Sequence, residues 1–345
     1  MKTIIEKYSP AAIKKAGEII KNGGLVAFPT ETVYGLGADA LRSDGARKIY
    51  AAKGRPSDNP LIVHIAETDK LYDIADEVPD KALALTAKFW PGPLTIILKK
   101  KDIVPLATTG GLDTVAVRMP NWPAALELIK AGGGFIAAPS ANKSGRPSPT
   151  TAGHVADDLD GVIDMIIDDG PVDIGIESTI VDFTSDIPTI LRPGYIGLED
   201  VRAVVGEAII DPAILAKPEQ GLRPKAPGMK YRHYAPKAEM TIVSGDNKEV
   251  VSYINREGEK LALDNKKIGI ISTKENINQY KCGIIKCVGA KDDEKAIAHN
   301  LYRVLREFDD EDVSLIFAEC LREGHEETAV MNRLLKAAGY KLIQL

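Results

Sequence analysis

Lys53-Gly-Arg-Pro-Ser-Asp-Asn59 runs directly into Pro60-Leu-Ile-Val-His-Ile65. Pro56 fixes its own φ, removes a backbone donor and pushes Arg55 towards an extended conformation. With Gly54 and Pro60 nearby, the stretch reads as a short, stiff ribbon that carries two cations, Ser57 and Asn59 into an apolar strand. Rigid cations at a strand end suit recognition of phosphate or carboxylate. The same chemistry recurs in Pro139-Ser-Ala-Asn-Lys-Ser-Gly145, again after an apolar strand, Phe135-Ile-Ala-Ala138. Two such loops predict one cleft with a loop on either side.

Working outward, Leu25-Val-Ala-Phe28 reads as a buried strand. It enters Pro29-Thr-Glu-Thr-Val-Tyr-Gly-Leu-Gly37, a loop that sets hydroxyls, a carboxylate and a phenol beside glycines. A helix opened by a Ser43 cap leads to the ribbon. His64 lies just past it, as either a structural histidine or a ligand. In Thr114-Val-Ala-Val-Arg118, alternation sends Val115 and Val117 to one face and Thr114, Ala116 and Arg118 to the other. Arg118, followed by Met-Pro, is a candidate bidentate carboxylate clamp. Glu177-Ser-Thr-Ile-Val-Asp182 and Thr189-Ile-Leu-Arg-Pro-Gly194 read as further strands, the second delivering Arg192 at its end.

Residues 1–208 therefore predict an α/β or α+β sheet domain with active loops at strand ends. Residues 209–238 break the pattern. From 220 to 238 there is no acidic residue, and Arg223, Lys225, Lys230, Arg232 and Lys237 alternate with prolines. That composition predicts a linker, and its cations with Tyr231, His233 and Tyr234 suit a lid over an anionic ligand. Residues 239–345 alternate apolar strands with amphipathic helices, a smaller Rossmann-like domain without G-x-G-x-x-G.

The net charge of −5 argues against a protein that coats nucleic acid. Three cysteines without a CxxC spacing read as reduced thiols, and no apolar run predicts a membrane span, so a cytoplasmic protein is expected. P-loop, G-x-S-x-G and H-E-x-x-H motifs are absent. What remains is a cleft of cations, amides and hydroxyls: Lys53, Arg55, Asn59, Arg118, Ser140, Asn142 and Arg192. Such a set suits a carboxylate displacing pyrophosphate from a nucleotide, chemistry that needs positioning and charge neutralisation more than a protein nucleophile. An RNA-binding module using the same basic concavity, with weak tRNA binding, is the rival reading.

The loops beginning at Pro29, Lys53 and Ala138, with Pro91-Gly-Pro-Leu-Thr95, Glu177–Asp182 and Leu191-Arg-Pro-Gly194, resemble in order and spacing the YrdC-like threonylcarbamoyl-adenylate synthases. Pro227-Gly-Met-Lys-Tyr-Arg-His-Tyr-Ala-Pro236 and Ala329-Val-Met-Asn-Arg333 resemble the long form of that family. The resemblance implies that L-threonine, bicarbonate and ATP give threonylcarbamoyl-AMP and pyrophosphate, the product passing to the tRNA threonylcarbamoyl-transferase machinery. It implies a catalytic set of Lys53, Arg55, Ser140 and Asn142. Threonine contacts fall on Thr32, His64, Arg118, Ala138 and Ser178, and ATP contacts on Arg55, Asn59, Thr114, Ser140, Ser148, Arg192 and Tyr234. Mg²⁺ is expected to be held mainly through ATP phosphates, with no metal site of the protein's own.

Overall fold

The structure, a computed structural model, describes residues 2–214, 224–227, 233–321 and 328–345. Its chain divides into two compact units. The linker residues Arg223, Lys230, Tyr231 and Arg232 lie outside the described residues.

In the first unit, short apolar segments pair into a mixed sheet of eleven strands. Its centre consists of Ile136–Ala138, Ile62–His64, Thr114–Arg118, Leu94–Lys99 and Thr179–Asp182, side by side in that order. Period-two alternation decides what each face carries. Val63, Val115, Val117, Ile96 and Ala137 point into one large core. On the opposite face, helices Pro10–Lys21 and Pro123–Ala131 cover one half, packing on Val26, Phe28, Ile136 and Ala138. Beyond the helices that face continues as a small apolar floor of Ile62, Ile97, Ala116, Ile180 and Leu191, against which Ala226 of the linker segment packs.

Several local expectations change. Part of the glycine-flanked loop is itself a strand, Gly35–Asp39, because its alternating small residues fit between two neighbours. Gly37 is required there: a Cβ would lie 2.8 Å from Ile136 and 2.9 Å from Phe28. Ser43 is the first residue of helix Ser43–Lys53 rather than its cap. Arg42 holds the cap position without a side-chain bond, and left-handed Gly54 ends the helix one residue past Lys53. Strand Ile4–Lys7 and helices Pro123–Ala131 and Leu198–Val205 were not expected from the sequence.

The second unit contains a five-stranded parallel sheet, ordered Ile284–Gly289, Ile268–Thr273, Leu315–Glu319, Glu239–Ser244 and Leu342–Gln344. Helix Asn247–Leu263 packs its Val250, Val251 and Ile254 with Val243, Ile270 and Phe317. Phe308 of helix Glu294–Asp310 lies against Gly269, on the other face. This is the Rossmann-like arrangement expected, with Leu342–Gln344 as an added edge. Among the described residues the three cysteines form no disulfide; all are half-buried, and Cys282 packs against the core of this unit. No helix of the described residues is long and apolar enough to cross a membrane.

At the carboxyl end of this sheet, buried Glu319 accepts hydrogen bonds from Ser272 Oγ (2.7 Å), Thr273 Oγ1 (2.9 Å), Asn276 Nδ2 (2.9 Å) and Tyr280 OH (2.9 Å). Burial and the adjacent carboxylate push the Tyr280 phenol up, so it stays a donor. Removing the acceptor strands several buried donors at once. Glu319→Ala is expected to cost more than about 3 kcal/mol in urea unfolding. A loss below about 1 kcal/mol would contradict this account.

Candidate active site

Helix Ser43–Lys53 delivers Lys53 buried, at 3% exposure, so the ribbon begins under cover rather than in solvent. Its ammonium donates to the carbonyls of Ser140 and Asn142, each at 2.5 Å. The Lys53 carbonyl accepts from Ser144 N at 2.8 Å. The two loops therefore meet through a charged clasp. Ser140 Oγ donates to Asn142 Oδ1 (2.5 Å), which fixes both side chains within the second loop. Arg55 curls over its own ribbon, with Nε to Asn59 O (3.3 Å) and Nη2 to Pro60 O (3.1 Å). Asn59 is 1% exposed, and its Oδ1 has no hydrogen-bond partner.

The loop from Pro29 joins them. Thr30 Oγ1 donates to Val33 O (2.7 Å) and accepts from Thr32 N (3.2 Å), a local turn that buries Thr32. Leu36 N donates to Pro139 O, and Ala141 N to Tyr34 O, both at 2.8 Å. Ala138 is thus sealed at the base of three loops, with Ile62 as its cross-strand neighbour.

Register gathers the other predicted residues. His64 lies opposite Arg118, Arg118 opposite Thr95, Thr95 opposite Ile180, and Ile180 opposite Arg192. One row across the sheet therefore carries His64, Arg118, Thr95 and Arg192 on a single face. Thr114 sits half-buried at the other end of the Arg118 strand, about 13 Å away at the usual rise per residue. Arg192 donates from Nε to Ser178 O and from Nη2 to Ser178 Oγ, both at 3.0 Å, and Ser178 Oγ lies 2.7 Å from Thr95 Oγ1. Ser148, fully buried, donates to Glu177 Oε1 at 2.5 Å. Tyr234 belongs to the second unit, where it stacks on Tyr302 at 5.2 Å beneath the Arg333 guanidinium.

Arg118 does not stand alone. Its Nη2 is 2.8 Å from Glu31 Oε1, with both side chains buried. The angles are poor enough that neither Glu31 oxygen nor Arg118 Nη2 completes a hydrogen bond. The sequence reading noticed the Glu31 carboxylate without giving it a role, and it passed over Glu177 and Thr95. The available signals were a carboxylate in a glycine-flanked loop and a threonine closing Pro-Gly-Pro-Leu-Thr. Neither one identifies its partner.

Residues 18–194 match the family model Sua5_yciO_yrdC, described as telomere recombination. Residues 196–339 match Sua5_C, described as the threonylcarbamoyl-AMP synthase C-terminal domain. The chain belongs to this family. Over 340 residues it is 48% identical to threonylcarbamoyl-AMP synthase of Pyrococcus abyssi, covering 99% of this chain and 98% of that protein. The Bacillus subtilis protein of the same name is 46% identical over 333 residues, covering 96% and 94%. The crystal structure of P. abyssi Sua5 complexed with L-threonine superposes with a TM-score of 0.91 at 47% identity, covering 100% of this chain and 99% of that one. The resemblance read from the loops is thereby established for the family as a whole.

In this Sua5-family chain, burial and the Arg118 charge pull the His64 imidazole down to about 3, so it is neutral near pH 7. Its Nδ1 donates to Ile62 O at 3.1 Å, the only role open to a nitrogen facing a carbonyl. Between about pH 3 and 6.5 the unfolded chain takes a proton that the folded site refuses, so stability falls as pH falls through that window. From pH 7 to pH 5 this contributes a loss of about 2 kcal/mol. In His64→Gln that part of the loss is expected to vanish from urea unfolding curves. Parallel pH profiles for the two proteins would contradict it.

Proposed function

We propose that this chain is a threonylcarbamoyl-AMP synthase. The observation that carries the reading is its likeness, over 96% or more of the chain, to proteins of that name. Threonine's ammonium first releases a proton to solvent, and the free amine then combines with bicarbonate to form a carbamate and water. A carbamate oxygen then attacks the α-phosphorus of ATP, the bond to the β-phosphate bridging oxygen breaks, and pyrophosphate leaves.

Arg118 clamps the threonine carboxylate. Thr32, neutral His64, Ser178 and the Ala138 carbonyl complete the threonine pocket. Arg55, Asn59, Thr114, Ser140, Ser148 and Arg192 hold the nucleotide. Lys53, Arg55, Ser140 and Asn142 form the catalytic set: Lys53 fixes the loop, while Arg55 meets the charge that builds up as pyrophosphate departs. The attack by the carbamate passes through no covalent bond to the protein, so positioning carries most of the rate.

Mg²⁺ fits as a passenger of the ATP phosphates. The donor set consists mainly of cations, amides and hydroxyls, and its two carboxylates, Glu31 and Glu177, already face Arg118 and Ser148. When bound, the ion supplies charge neutralisation on the phosphates. The product would then pass to the machinery that modifies tRNA adenosine. Residues 1–208 form the catalytic domain, 209–238 a linker and lid, and 239–345 the anchoring domain.

Pyrophosphate release from ATP tests this reading. It is expected to require both threonine and bicarbonate, with threonylcarbamoyl-AMP found by mass spectrometry. Release that ignores threonine would contradict it. Arg118→Ala is expected to raise the threonine requirement about ten- to a hundredfold with little change for ATP. Serine, lacking one methyl, should react about ten- to two-hundredfold less well.

A further inference from the structure

Glu31 is 5% exposed, and among the described residues neither carboxylate oxygen has a hydrogen-bond partner. Among the described residues its ion-pair partner is Arg118, which likewise leaves Nη2 without a completed hydrogen bond. A buried pair of opposite charges is stable only while each has a counter-charge, and removing one leaves the other uncompensated. A ligand carboxylate on Arg118 would lie beside the Glu31 carboxylate, two anions at a shared cation in a dry site. The arrangement becomes favourable when the ligand also brings a cation.

We infer that Glu31 is the receptor for the α-ammonium of the amino-acid substrate, so that Glu31 and Arg118 together form a two-charge receptor for a zwitterion. This rests on the functional reading above and deepens it. On binding, the guanidinium turns to the ligand carboxylate and the Glu31 oxygens accept from the ammonium. Each charge keeps an opposite neighbour, and the net charge of the buried site does not change. The local backbone suits the task, because the Thr30 turn holds residues 30–33 and leaves the Glu31 side chain, rather than its backbone, as the adjustable part. Specificity follows: hydroxy acids that lack the amine would leave Glu31 unpaired and be rejected, although Arg118 could still clamp their carboxylate.

The test is calorimetric titration of the full chain with L-threonine and with (R)-3-hydroxybutyrate, which is threonine without its amine. Wild-type protein should prefer threonine by about a hundredfold or more. In Glu31→Gln, threonine should weaken about ten- to a hundredfold while 3-hydroxybutyrate stays equal or tightens. Glu31→Asp keeps the charge and should retain part of the preference, which guards against misreading a folding defect. Parallel weakening of both ligands would mean that Glu31 only positions Arg118 and would overturn the inference, as would unchanged threonine binding. Wild-type protein that binds neither ligand would overturn the functional reading itself.

Discussion

One buried ammonium makes the site. Lys53 ends a helix, and its charge lies between the carbonyls of Ser140 and Asn142, which belong to a loop 87 and 89 residues away in sequence. Charge-assisted bonds to carbonyls are short and strong, each worth about 1.5–3 kcal/mol when made, and costly to lose once buried. The return bond from Ser144 N to the Lys53 carbonyl closes the clasp from the other side. Without it, two glycine- and proline-rich loops would have little reason to hold one relative position. With it, Ser140 and Asn142 are presented as a fixed pair.

The sheet supplies the second constraint. Strand pairing admits no half-residue adjustments, so the register that puts His64 beside Arg118 also puts Thr95 beside Arg118, and a bulge between Ile190 and Arg192 brings Arg192 opposite Ile180 in the same row. Helices cover only half of that face, and the other half keeps an apolar floor of Ile62, Ile97, Ala116, Ile180 and Leu191 beneath Ala226. An apolar floor below buried charges keeps the local dielectric low. Each charge there is therefore strongly coupled to its neighbours, as the neutral His64 imidazole shows.

The ribbon, the second loop and the alternation in Thr114–Arg118 were readable because proline, glycine and period-two patterns act locally. The sequence could likewise single out Arg118, since an arginine ending an apolar strand has few structural uses. It could not announce Glu31, because the charge that makes Glu31 important arrives from a strand 87 positions later. The same limit hid Thr95, whose partner Ser178 is 83 residues away, and Glu177, whose partner Ser148 is 29 away. The Lys53 cation, expected to face a ligand, is spent first on protein carbonyls. The edge strand Ile4–Lys7 went unread because four residues of mixed polarity carry no pattern of their own.

Hydrogen exchange on the full chain, wild type against Lys53→Met, tests most directly whether the clasp builds the site. If it does, the amides of residues 140–145 lose protection by at least about tenfold, while those of Ile62–His64 and Thr114–Arg118 keep theirs. Unchanged exchange at 140–145 would show that the loop holds its position without Lys53. Equal loss in the loop and in both strands would show that the lysine supports the fold rather than the site. Either result would contradict the account.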